Sequence, residues 1–287
     1  MHRQFKYKKS KEPKYDILQG LLSVKMINIM KMQDNMNHLL GKQVEYSGAV
    51  LTVNTRSFLE IVNSNLKEDN KNLIVQMNKI LNQIIPVILQ SNGIIDRFNG
   101  DGLSAIYTKN SEDAIKAAIE ISEIMKVSIG ISYGEIISGI LGNESAFNTV
   151  TISQYTGLSE YLQLIAKSYY SKTLISQTFV NQVKDFYNQY ENRFLGYLYM
   201  KSSDRLEKIY DLFIVDNAET RWIKKKTKII FEQGVNLFAH SNYDMARKHF
   251  IEVLKVNRND SAARKYLYLC ENYLEHNSKG DIYFESC

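Results

Sequence analysis

The stretch "GIIDRFNGDGLSAIY" (93–107) limits the possible folds of this chain more than any other. Two apolar runs flank "NGDG", and Asn-Gly and Asp-Gly are strong signals of a tight β-hairpin turn. The segments on either side supply further strands and the helices to cover them. "GAVLTVN" (48–54) is rich in β-branched residues and reads as a buried strand. Residues 70–93 place apolar side chains at helical spacing and end on Gly93, a suitable helix C-cap. "SEDAIKAAIEISEIM" (111–125) is a helix in which Ser111 can cap and Glu112 and Asp113 sit favourably in the first turn. "VSIGISYGEIISGIL" (127–141) reads as a pair of strands broken by glycine. A helical region at 154–170 precedes the strand "TLIS" and, later, "IYDLFIV". Strand, helix, hairpin, helix, strand is the order of a ferredoxin-like α+β sheet with helices on one face.

The outer segments differ in character. Residues 1–14 are basic and polar, with Arg3, Lys6, Lys8, Lys9, Lys11 and Lys14. From Tyr15 a heptad runs through Leu22, Met26, Ile29, Met36 and Leu40, with Gln19 and Gln33 at the remaining seam positions. That pattern fits a coiled-coil seam, and it also fits an amphipathic helix packed on its own domain. At the other end, Gly234, Ala246 and Phe250 recur at a spacing that resembles a tetratricopeptide repeat, with Arg258 replacing the usual closing proline. One such repeat cannot bury a continuous core, so the tail is expected to dock on the preceding domain. The expected division is 1–45 (basic tail and helix), 46–216 (α/β domain) and 217–287 (helical tail).

Of the 287 residues, 44% are hydrophobic, ample for a core. The net charge of +5 comes mostly from the N-terminus and from "RWIKKKTK" (221–228). Both runs read as solvated tails or faces, or as contacts for anionic partners. They lack the interleaved aromatics of a nucleic-acid-binding segment, so no nucleic-acid partner is expected. No apolar run reaches the roughly 18 residues of a membrane span, and no secretory leader is visible. Cys270 and Cys287 suggest no disulfide framework. A cytoplasmic protein is expected.

With the elements in place, residues 48–215 resemble the catalytic domain of the class III nucleotidyl cyclases. "LTVNTRSFL" sits where that family carries a strand ending in "DIRGFT", and "GIIDRFNGDGLSAIY" resembles its "GGxxxKFIGDGxMAVF" hairpin. "DAIKAAIEI", "VSIGISYGEIISGILGN" and "TLISQTFVNQV" follow its later elements in order, and "RFLGYLYMKSSDRLEKIYDL" resembles its closing strands. The resemblance implies an attack of the ribose 3′-hydroxyl on the α-phosphate of ATP or GTP. It also implies two dications, Mg2+ or Mn2+, held by two aspartates.

Asp101 matches the second of those aspartates, but the first falls on Asn54. One negative charge is thereby lost from a site for two dications. The family's partner subunit also supplies an asparagine and an arginine, and these positions fall on Gly157 and Tyr161. Lys167 and Lys172 are cations nearby, yet nothing in the spacing aims either one. Arg97 stands where many adenylate cyclases carry a base-recognising lysine, and Lys201 where a phosphate-contacting lysine is usual. On the residues alone, Asp101 also reads as a turn residue and Arg97 as a solvated strand residue. The expectation is a catalytically degenerate cyclase homologue with nucleotide-binding positions Arg97 and Lys201 and a weak metal position at Asp101. It would act by binding a nucleoside triphosphate, or by pairing as a homodimer or with an intact cyclase. An active cyclase, and a tetratricopeptide-type module that binds a protein partner, remain as alternatives.

Overall fold

The computed structural model describes residues 43–55, 73–99, 102–143, 147–201, 203–276 and 285–286. The heptad of 15–40, Asp101 and Cys287 lie outside the described residues.

Strand β1 (Gln43–Thr55) is followed by helix α1 (Leu73–Gln90), the hairpin β2 (Ile94–Phe98) and β3 (Gly102–Tyr107), and helix α2 (Glu112–Ile124). Strands β4 (Val127–Gly142) and β5 (Phe147–Ile152) lead to helix α3 (Gln154–Ala166) and strand β6 (Thr173–Ser176). Two short helices, α4 (Gln177–Val180) and α5 (Phe186–Gln189), precede β7 (Arg193–Met200) and β8 (Arg205–Asp211). The tail folds as α6 (Ala218–Ala239), α7 (Tyr243–Val256) and α8 (Ser261–Glu275), with a short β9 (Glu285–Ser286). Among the described residues the strands form one mixed sheet in the order β2-β3-β1-β4-β6-β8-β7-β9, with β5 paired to β4. The expected ferredoxin-like α/β core is present. Two compact units are distinguished: the smaller includes the hairpin of residues 138–151, and the larger holds 45–137 and 152–287. Within the smaller unit, Ser138 Oγ and Thr151 Oγ1 lie 3.3 Å apart across the hairpin.

Alternation along β1 decides which face each residue serves. Ala49, Leu51 and Val53 join the main core, while Val50 pairs with Ile106 in a small cluster with Ile136. Both faces of the central strands are therefore apolar, as the β-branched run implies.

Several local expectations are revised. Residues 127–142 form one continuous strand, not a glycine-broken pair. A Cβ on Gly134 would lie 2.0 Å from the Tyr155 ring, so this glycine provides a seat for an aromatic instead of a break. Helix α1 ends before Gly93, and Asn92 adopts the left-handed φ of 64°. Gly93 is needed for packing, because a Cβ there would meet Ile88 and Tyr107 below 3 Å. The Ser111 side chain makes no capping bond; the Asn110 side chain accepts from Glu112 N at 3.2 Å.

Two of the three tail helices, α6 and α8, meet the sheet through buried charge. Arg193, 1% exposed on β7, donates from Nε to Asp211 Oδ2 on β8 at 3.1 Å. Its Nη1 donates to Asp260 Oδ2 at 2.6 Å, and its guanidinium lies 4.3 Å from the Phe231 ring centre. Asp260 also caps α8, accepting from Ala263 N at 3.1 Å. Lys224, expected in a solvated basic run, is buried and donates to Asp211 and Asp216, both at 2.7 Å. Of its neighbours, Arg221 and Lys225 pair with Glu191, and Lys226 sits over Trp222. Tyr266 OH donates to Leu195 O at 2.8 Å, and Gly234 lets the Phe250 ring approach its helix. Burial pushes the Cys270 thiol up to about 12, so it behaves as an apolar core residue.

Burial alone would raise the carboxyls of Asp211 and Asp260, but the adjacent Lys224 and Arg193 charges overcome it and hold both below the usual range. Their stabilisation is present in full above about pH 4, the unfolded value, and is lost as pH falls through the lower folded values. Asp260→Ala should cost the full chain about 2–3 kcal/mol in urea unfolding, because it leaves the Nη edge of a buried guanidinium unpaired while Asp211 still holds Nε. A loss below about 1 kcal/mol, the value of a helix cap alone, would show that the ion pair does not hold the tail. Residues 217–287 expressed alone should be largely unfolded by circular dichroism, and a cooperative melt of that fragment would contradict the docking.

Candidate functional site

The hairpin β2–β3 closes through Asn99 and Gly102, whose backbones exchange bonds of 2.9 and 3.2 Å. Gly102 pairs with Asn54 across the sheet. A Cβ there would lie 2.0 Å from Val53 O, so only glycine lets the turn press against the end of β1. This contact brings Asn54 and the hairpin together.

Helix α3 is fixed over the same strands. Gly130 leaves room for its backbone, since a Cβ would lie 2.0 Å from Ser159 O. Three buried hydroxyls complete the seat: Thr52 Oγ1 lies 2.8 Å from Ser159 Oγ and 3.1 Å from Ser104 Oγ. Asn99 Nδ2 donates to Ser104 Oγ and to Glu160 Oε1, each at 3.2 Å. The result is a cleft of about 380 Å3 in which Asn54, Arg97, Asn99, Gly102, Glu160 and Gln163 converge. Arg97 Nε donates to Asp96 Oδ2 at 2.9 Å, and Nη1 lies 3.9 Å from Glu160 Oε1. Arg97 Nη2 is buried and has no hydrogen-bond partner among the described residues.

Of the residues expected from sequence, Asn54 and Arg97 therefore share one cleft. Gly157 and Tyr161 lie on α3 but do not line it. Gly157 faces open space, with no described atom within 4 Å of where a Cβ would stand, whereas Tyr161 packs against the core. Lys201 is exposed in the turn after β7 and is absent from the cleft lining. Lys172 is committed to Val215 O at 2.8 Å. Sequence reasoning missed Glu160, Asn99 and Gln163. A larger groove of about 500 Å3, lined by Gln233, Asn236, His240 and His249 in the tail, includes none of the expected site residues.

Among the described residues no group of three His, Cys, Asp or Glu side chains is placed to hold a metal ion. In the cleft itself the one described carboxylate, Glu160, already faces a guanidinium. Among the described residues that donor set does not fit a centre for two dications; Asp101, the expected metal position, lies outside them.

Comparison with solved structures places the architecture. The fold matches a bacterial light-regulated adenylyl cyclase with TM-score 0.59 at 14% identity, covering 71% of this chain and 62% of that one. It matches the adenylyl cyclase CyaB of P. aeruginosa with TM-score 0.50 at 20% identity, covering 60% and 95% of the two chains. This is the class III nucleotidyl cyclase fold. Homology to the cyclases is supported in sequence by the terminal-differentiation-specific adenylate cyclase of Dictyostelium discoideum, 24% identical over 252 residues. That alignment takes in 82% of this chain but only 12% of the Dictyostelium protein. No family model matches the chain. No helix among the described residues is long and apolar enough to cross a membrane.

The cyclase-fold site depends on the seat of α3. Gly130→Ala forces the helix backbone away from β4 and should cost about 1–3 kcal/mol in thermal or urea unfolding. An unchanged midpoint would mean that α3 can shift without penalty.

Proposed function

We infer that this chain is a catalytically degenerate cyclase homologue that binds a nucleoside triphosphate without cyclising it, or completes a site by pairing with another cyclase-fold chain. The observation that carries this reading is the cleft at Asn54. A carboxamide stands at the end of β1, and no described carboxylate other than the arginine-facing Glu160 lines the cleft. Arg97 lines the same cleft, and its guanidinium is a donor to a phosphate or base acceptor. The family's transition-state asparagine and arginine correspond to Gly157 and Tyr161, neither of which offers a cation. A fixed cation at developing phosphate charge is commonly worth a few kcal/mol of barrier. Asp101 remains the proposed weak position for Mg2+ or Mn2+, and Lys201 a proposed phosphate contact. The boundaries 46–216 for the cyclase-like domain and 217–287 for a tetratricopeptide-like tail belong to the same proposal. So does a protein partner for the tail.

Purified full-length chain should show a melting shift with millimolar ATP or GTP. It should form no cyclic nucleotide with manganese in a chromatographic assay. Cyclic product from the wild-type chain, lost on Asp101→Ala, would refute degeneracy. Asn54→Asp, Gly157→Asn and Tyr161→Arg combined should yield a detectable manganese-dependent trace of product. Each single change should yield almost none, because these groups act as a unit.

A further inference from the structure

The groove of about 500 Å3 between α6 and α7 holds two imidazoles, far from any role in the cleft. His240 closes α6, and its Nδ1 lies 2.7 Å from Asn236 O, one turn back in the same helix. His249 stands in α7, and its Nδ1 lies 2.9 Å from Met245 O, again one turn back. A carbonyl oxygen only accepts, so each Nδ1 carries the proton, and in the neutral ring Nε2 holds the lone pair. Neither Nε2 has a hydrogen-bond partner among the described residues. The short turn after His240 folds α7 back along α6, and a Cβ on Gly234 would lie 3.2 Å from the His249 Cβ. One turn back leads away from that turn in α6 and toward it in α7. The two rings therefore lean toward each other along the groove, His240 from the turn and His249 from the level of Gly234. Gln233 and Asn236 line the groove beside them. Among the described residues no carboxylate lines it, and the cations next to His249, Arg247 and Lys248, are paired with Glu271 and Asp244.

We propose that His240 and His249 form a site for a borderline transition dication of the zinc class, each ligating through Nε2. An imidazole whose Nδ1–H is held by a carbonyl is the usual arrangement of a metal-ligating histidine, with tautomer and ring orientation fixed in advance. Two neutral imidazoles beside amide oxygens suit Zn2+ and its neighbours; Mg2+ and Ca2+ take sets of oxygen ligands. Water and an amide oxygen of Asn236 or Gln233 complete the coordination. With two histidines the site is open and exchangeable, unlike a closed structural zinc centre. It ties the end of α6 to the middle of α7, and it is independent of the nucleotide-binding reading.

Zn2+ binding to the full chain is measured by calorimetry, with Mg2+ as the hard-cation comparison. His240→Ala and His249→Ala should each weaken Zn2+ binding about ten-fold or more, at least the loss that removal of a ligand's outer partner causes. His276→Ala is the matched control. Its Nδ1 is held in the same way, 2.8 Å from Asn272 O, but it closes α8 and does not line the groove. Zn2+ binding should be unchanged by that substitution. Imidazole 15N spectra of the wild-type chain give a second readout, free of any effect of substitution on folding. The Nε2 signals of two rings should shift with Zn2+, and Mg2+ should leave them in place. Zn2+ affinity that survives either groove substitution overturns the site, because one histidine would then not be a ligand. An equal loss in His276→Ala, or no Zn2+-dependent shift of two Nε2 signals, overturns it as well.

Discussion

A buried guanidinium requires counter-charge within hydrogen-bond reach, and Arg193 obtains it from two directions at once. Asp211 comes from the neighbouring strand and Asp260 from the start of the last long helix. The apolar surfaces of the sheet and the tail are non-directional and tolerate sliding, but a guanidinium bound on two edges does not. Lys224 extends the arrangement to α6, and Ser171 Oγ donates to Asp211 Oδ1 at 2.6 Å, so α6 and the loop before β6 share the same carboxylate. Three carboxylates against two cations leave one charge in excess. Asp216 carries it: burial and the nearby Asp211 raise its carboxyl, although Lys224 draws it down. The tail helices are thus held by polar geometry within an apolar contact and do not simply lie against the sheet.

The hairpin and the succession of strands and helices along the chain were legible because their determinants are local. Asn-Gly, Asp-Gly and β-branched runs act over a few residues. Glycines were harder, since the same residue serves unlike ends. Gly134 resembles a strand break in sequence, yet its missing Cβ admits the Tyr155 ring within an unbroken strand. Gly93 resembles a C-cap, but Asn92 takes the left-handed conformation. The buried charges were not legible. Lys224 sits inside "RWIKKKTK", where composition suggests solvent, and its partners lie on other elements.

The cleft divides in the same way. Asn54 and Arg97 could be placed because the resemblance to the cyclase motifs aligns the strands that carry them. Glu160 could not, because its position depends on how α3 crosses β1, and Gly130 and the Thr52–Ser159 contact decide that. One signal was available: Glu160 is the single charged residue of helix α3. A lone charge on a helix that packs against a sheet has few places to go. Gly102 and Gly130 serve backbone approach, a packing role independent of whether the neighbouring side chains hold metal.

The separation of Arg193 from Asp260, 67 residues, has a consequence for the order in which the protein is made. A chain emerging from the ribosome at about 5–20 residues per second exposes Arg193 roughly 3–13 seconds before Asp260 appears. During that interval the closing strand carries a cation whose second counter-ion has not been synthesised. Closure of the last hairpin before then buries a half-paired charge, so that hairpin gains its full stability only once Asp260 has been made.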